Sequence, residues 1–294
     1  MVYSFQEEEM SIFSFFKKKV TEAIEHENEE CLFLSTGAHI VKNCRKVNLT
    51  GDAVVLESYD SNYEEVSGRA KIQMFDRGSI YLICDNAKIG LIKDANINHI
   101  KDSVSITTIN NASINYISDR VNINTINNGS IKFVEGRCQI DTMNSSSIMY
   151  LRDNAKISTM VNGQITGVMN SAKISTIIHG KVTYLLNNAF IGTLNSGEIL
   201  EMCDNSEIST FNDGTVSLMM GKAMISQRIN GRVKSKTGGS LVLYTQKKSK
   251  VKLNEEAVIE QKVKLVKPKK EKHQNSQVLE EQMTLPFETE EKGE

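Results

Sequence analysis

Between residues 72 and 229 large apolar residues come in pairs written I-x-x-I, and the pairs recur at alternating intervals of 8 and 9 residues. Their first members run Ile72, Ile80, Ile89, Ile97, Ile106, Ile114, Ile123 and onward in phase to Ile225. The true period is therefore 17, with two non-equivalent pairs per unit, and nine periods pass without an insertion or deletion. One half-unit resembles Asp153 to Met160 (DNAKISTM) and the other Asn128 to Val134 (NGSIKFV). Each is a short β-branched run bounded by Asn, Asp or Gly, which predicts a short strand between tight turns. A helical repeat needs a longer unit and has no use for Asn-Gly at this spacing.

Seventeen residues suffice for one coil of a β-solenoid, in which each coil hydrogen-bonds to the next at ~4.8 Å. The expected fold is all-β: a single-stranded β-solenoid of about ten to twelve coils of 17 residues, over 55–245. Stacking explains why each column keeps one kind of residue. Ala87, Val104, Val121, Cys138, Ala155, Ala172, Ala189, Ser206 and Ala223 form a small column suited to a narrow corner. Gly163, Gly180, Gly197 and Gly214 share a column expected at a positive-φ turn. Asn86, Asn154, Asn188 and Asn205 share another, expected to form an amide ladder.

Open β-edges recruit other chains, so caps are expected at both ends. Phe13, Phe16, Val20 and Ile24 make a helical stripe, which predicts a capping helix over 9–30 within an N-terminal segment 1–54, with irregular strands over 31–54 leading into the first coil. Leu241, Val242 and Leu243 begin a last coil, alternating Val and Lys over 251–267 predict capping strands in 246–267, and 268–294 reads as a flexible tail.

Composition narrows the function. The chain has 294 residues, 35 Lys plus Arg and 36 Asp plus Glu, so neither a globally basic nucleic-acid binder nor an acidic DNA mimic fits. Glu7, Glu8 and Glu9 stand where a secretory signal would be basic, and no apolar run is long enough to span a membrane, so a cytoplasmic protein is expected. The five cysteines are widely spaced and lack C-x-x-C, so no disulfide framework and no metal site is expected.

Three columns are candidates for chemistry. Thr108, Thr125, Thr142, Thr159, Thr176, Thr193 and Thr210 stack, but the neighbouring column is mixed, unlike the paired threonines of ice-binding solenoids. His99, Tyr116, Phe133, Tyr150 and, beyond Gly167, Tyr184 form an aromatic column that is a candidate platform for a sugar chain or unstacked bases. Asp85, Asp102, Asp119, Asp153 and Asp204 share a column with Gly and Asn, as turn formers would. With no long loop to build a pocket and no catalytic motif, neither enzymatic activity nor a cofactor is expected.

Past Pro268 one compact apolar cluster stands out, Gln282-Met283-Thr284-Leu285-Pro286-Phe287. It resembles the motif by which bacterial proteins bind the DNA-replication sliding clamp. The resemblance implies that Gln282 contacts the rim of the clamp's cleft, Met283 makes a secondary apolar contact, and Leu285 and Phe287 fill two pockets. Met283 stands where Leu is commoner. Residues 247–272, opened by Lys247 and closed by Lys272, hold ten Lys against four Glu and are expected to add a weak, salt-sensitive DNA contact. The plain repeat resembles repeat proteins of phage and mobile elements. The leading expectation is a non-enzymatic scaffold tethered to the clamp, modulating replication. The alternatives are a self-assembling solenoid, similar in principle to the bactofilins, and a glycan-binding solenoid using the aromatic column.

Overall fold

The computed structural model of the protein describes residues 23–244. All its regular structure is parallel β, and among the described residues no helix is long and apolar enough to cross a membrane. The strands wind as a β-solenoid of about thirteen coils. The first coils are β1 (Ile24–Glu27) with β2 (Leu32–Leu34), and β3 (Ala38–Lys42) with β4 (Val47–Leu49). Three long strands follow, β5 (Val54–Val66), β6 (Lys71–Ile83) and β7 (Lys88–Ile100). From β8 (Ser105–Asn110) and β9 (Ser113–Ile117) onward each coil is a pair of strands of five or six residues as far as Arg232–Lys236, and the four-residue strand Leu241–Tyr244 is the last described.

From β5 to residue 225 the register advances by 17: Ile89 pairs with Ile106, Ile106 with Ile123, and Ile123 with Ile140. The four apolar columns all point inward, and Ile106, Ile109, Ile117, Ile140, Ile157 and Ile174 are wholly buried. Each such isoleucine contributes roughly 1.5–3 kcal/mol by leaving water. Their spacing of three has a local cause. Strict alternation would put Ile123 and Ile126 on opposite faces. The pairing instead skips Asn124 in β10 (Asn122–Asn127) and Lys132 in β11 (Ser130–Val134), where the strand bends and returns the second apolar side chain to the interior.

Two corner columns hold the left-handed backbone that closes each coil. One runs through Asp85, Asp102, Asp119, Gly136, Asp153, Asn170, Asn187, Asp204 and Gly221, with φ from 58° to 74°. The other runs through Asn111, Asn128, Ser145, Asn162, His179 and Ser196, with φ from 46° to 54°. Asn and Asp adopt this region more readily than other side chains do. The glycine column lies one residue past the second corner. Gly163, Gly180 and Gly197 do not adopt positive φ; of that column's four expected turn glycines only Gly214 does, at 110°. These glycines are small because they face the core: a Cβ on Gly163 would stand 2.8 Å from Met160 Cγ, and one on Gly180 2.7 Å from Ile177 Cγ2. The expected amide ladder makes one rung, Asn205 Nδ2 to Asn188 Oδ1 at 3.3 Å. A continuous ladder runs elsewhere, through Asn110, Asn127 and Asn144, at 2.9 Å per step.

Two further expectations change. The solenoid exceeds ten to twelve coils because it already includes β1 to β4, whose coils are shorter: Ile24 pairs with His39 and Leu32 with Val47, an advance of 15. Bulges at His39/Ile40 and Val47/Asn48 restore 17. The helix expected over 9–30 gives way to strand at Ile24–Glu27, where backbone pairing with β3 prevails over the helical spacing of side chains; the rest of that stripe, Phe13, Phe16 and Val20, lies outside the described residues. So do the expected capping strands at 246–267 and the tail at 268–294.

Candidate functional site

The aromatic column is real, but its rings face one another. Tyr116 and Phe133 stack with centroids 5.0 Å apart and planes 8° apart, and Phe133 and Tyr150 at 5.6 Å and 23°. His99 tilts by 56° against Tyr116 and bonds through Nε2 to Ser118 Oγ at 2.9 Å. The Arg152 guanidinium sits 5.1 Å from the Phe133 centroid. Rings stacked at coil spacing expose edges, whereas a sugar or a base needs a free face. Tyr150 lies against Gly167, and Tyr184 stands apart, between Gly167 and Glu201 in register. The five residues do not make one platform.

The aspartate column is engaged with its own backbone. Asp85 Oδ2 accepts from Gly68 N–H at 2.8 Å, Asp102 Oδ2 from Asp85 N–H at 3.2 Å, and Asp204 Oδ2 from Asn187 N–H at 3.0 Å. Each carboxylate thus ties its corner to the coil before it. Cys84, Asp85 and Asp102 bring ligand atoms within 4.8 Å of one another. Burial, and then the neighbouring Asp85 carboxylate, pushes the Cys84 thiol up to about 11. The threonine column is in register from Thr108 to Thr210 and half-buried.

One surface departs from this self-satisfied pattern. On β6, β7 and β9 a shallow groove of about 280 Å³ is lined by Ser79, Ile80, Tyr81, Asn96, Ile97, Asn98, Ser113 and Asn115. Tyr81 is 66% exposed, the most exposed tyrosine of the described residues. Sequence reasoning missed it because it belongs to no column of like residues: Glu64 and Asn98 occupy its position one coil before and one coil after. A bulky ring that interrupts a repeat was the available signal.

Gln282, Met283, Leu285 and Phe287 lie outside the described residues, as do Lys247 and Lys272. No protein-family model matches the chain, and neither does any curated protein or solved structure.

Proposed function

We propose that this chain is a non-enzymatic cytoplasmic scaffold of bacterial or phage origin, carried to the replication sliding clamp by residues 282–287. The observation that carries the reading is the hexapeptide itself: Gln282, then two apolar anchors, Leu285 and Phe287, around Pro286, at the end of a polar stretch. Such short anchors are a recurrent mode of peptide recognition, and proline lowers the ordering cost on binding.

The solenoid supports a scaffold role. Its coils follow one another from 72 to 225 without an inserted loop. The acids that a hydrolase or lyase would use accept backbone hydrogen bonds at the corners. A rigid body held at the clamp would occlude other clamp ligands, and the lysines of 247–272 would add a salt-sensitive contact to nearby DNA.

A pull-down of purified clamp by the full chain tests this, comparing wild type with Gln282→Ala and with Leu285→Ala/Phe287→Ala. Recovery is expected to fall in the first and to vanish in the second. Equal recovery in all three, or none with wild type, rejects the reading.

A further inference from the structure

We propose that the groove at Tyr81 binds a neutral saccharide, with the Tyr81 ring as its stacking platform and the amides of Asn96, Asn98 and Asn115 as its hydrogen-bonding wall. This goes beyond the tethered scaffold and uses a different part of the chain.

The groove is a small array built by register. Ser79, Asn96 and Ser113 stack in three successive coils, and Tyr81, Asn98 and Asn115 stand two residues further along the same coils. One wall therefore ends in a ring and continues as amides. Among the described residues no aromatic ring or cation lies against Tyr81, in contrast to the stacked rings of Tyr116, Phe133 and Tyr150. No second ring stacks on it, so its π-system is not taken up by a neighbour as those of the main column are.

The polar groups are only partly engaged. Asn115 Nδ2 donates to Asn98 Oδ1 at 3.0 Å, which fixes both amides and turns the Asn98 Nδ2 donors and the Asn115 Oδ1 acceptor to other partners. Ser79 Oγ donates to Asn62 Oδ1 at 2.7 Å and keeps its lone pairs as acceptors. No side-chain hydrogen bond joins Asn96 or Ser113 to another described residue. Fixed donors and acceptors beside an exposed ring suit a ligand that carries adjacent hydroxyls on one edge and an apolar C–H face on the other, which is a pyranose. The lining itself has no acid and no base; Glu64, paired with Lys46 at 2.9 Å, stands one coil before Tyr81 and Lys132 one coil after Asn115, so a charged ligand finds no counter-charge within the groove proper. The volume falls just below the range of about 300–1,000 Å³ usual for ligand clefts, which fits short stretches of a chain lying along the surface.

The test is calorimetric titration of the full chain with three neutral probes, cellohexaose, maltohexaose and chitohexaose, and with hexagalacturonate as the charged one. At least one neutral probe is expected to bind and the charged one not. Tyr81→Ala should weaken that binding by about tenfold, Tyr81→Phe by less than about threefold, and Tyr184→Ala not at all. Because Tyr81 is exposed, the thermal unfolding of Tyr81→Ala should match wild type, which separates lost binding from lost fold. Failure of all three neutral probes, preference for hexagalacturonate, or equal affinity in Tyr81→Ala overturns the proposal. None of these readouts involves residues 282–287, so the clamp result stands or falls independently.

Discussion

The ring of Tyr150 lies against Gly167, its register partner in the next coil: a Cβ at 167 would stand 2.9 Å from Tyr150 Cδ1 and 3.3 Å from Cε1, and 2.6 Å from Cε at the flexible end of Met169. The gap in the aromatic column is therefore a contact. Gly167→Ala should destabilise the protein by about 1–2 kcal/mol, because the ring must leave its stack on Phe133. In a Tyr150→Ala background only the flexible end of Met169 has to move aside, and the same change should cost clearly less, approaching neutral as the ordinary gain of roughly 0.5–1 kcal/mol from replacing a strand glycine offsets that shift. A urea double-mutant cycle reads the difference, and equal costs in both backgrounds would refute the contact.

Two glycines with positive φ should respond oppositely to a side chain. Gly78 sits at φ 125°, and its Cβ would fall 2.1 Å from the Ser61 carbonyl oxygen, which backbone pairing holds in place. Gly78→Ala should cost at least about 3 kcal/mol or prevent folding. Gly221 sits at φ 65° in the column where Asn170, Asn187 and Asp204 already carry side chains at 58° to 60°. Gly221→Asn should stay within about 1 kcal/mol of wild type. Chemical denaturation of the two variants decides the matter.

The first coils carry a pH dependence. His39 Nε2 donates to the Thr36 carbonyl at 2.7 Å, so its Nδ1 is the acceptor for His26 Nε2–H at 3.1 Å. Burial, and then the neighbouring His39, hold the His26 pKa below its ordinary 6.5, against a weaker opposing pull from Glu29. Above pH 6.5 both folded and unfolded chains keep this imidazole neutral and nothing is lost. As pH falls below that value the unfolded chain takes up a proton that the folded one resists, so stability declines until the folded pKa is passed. Urea unfolding between pH 5 and 7.5 should show a shallower decline for His26→Gln than for wild type.

Thiol reactivity should follow burial. Cys31 is exposed, whereas burial pushes Cys84 and Cys203 up to about 11 and Cys138 up to about 12. Native protein treated with iodoacetamide at pH 8 should label at Cys31 first and at Cys138 only on unfolding, as read by peptide mass spectrometry. Early labelling of Cys138 would show that its column opens.

The legible part of this fold is the part that repeats. Ile106, Ile123 and Ile140 announce the coil because like residues stack on like. Over 31–54 the sequence shows irregular strands but not coils, because an advance of 15, with bulges, breaks the phase on which the period is counted. The glycine column was seen but its cause misread: sequence shows that Gly163 must be small, while only packing shows that Met160 and Met143 are the reason. The groove at Tyr81 escapes a reading by columns for the converse reason: its one signal is a ring that departs from its column, between Glu64 and Asn98.

Register makes the sharpest prediction. Removing the 17 residues 139–155 would join Cys138 to Lys156 and place Ile157 on Ile123, Thr159 on Thr125 and Met160 on Ile126, since 139–155 is one whole coil. The product should fold, with a β-type circular dichroism spectrum and a stability reduced by about one nearest-neighbour interface, because coils interact only with their neighbours. Removing the 16 residues 140–155 instead would join Gln139 to Lys156 and move Ile157 into the position of Asp141, which points to solvent. Every downstream apolar residue would shift by one, turning core columns outward. The second variant should aggregate or unfold at far lower urea than the first. The bulges that absorb short coils near the N-terminus lie where strands begin and end, at His39/Ile40 and Val47/Asn48, and the straight stack around Ile140 has no such slack. Equal stability of the two variants would mean that the seventeen-residue winding does not hold the molecule together.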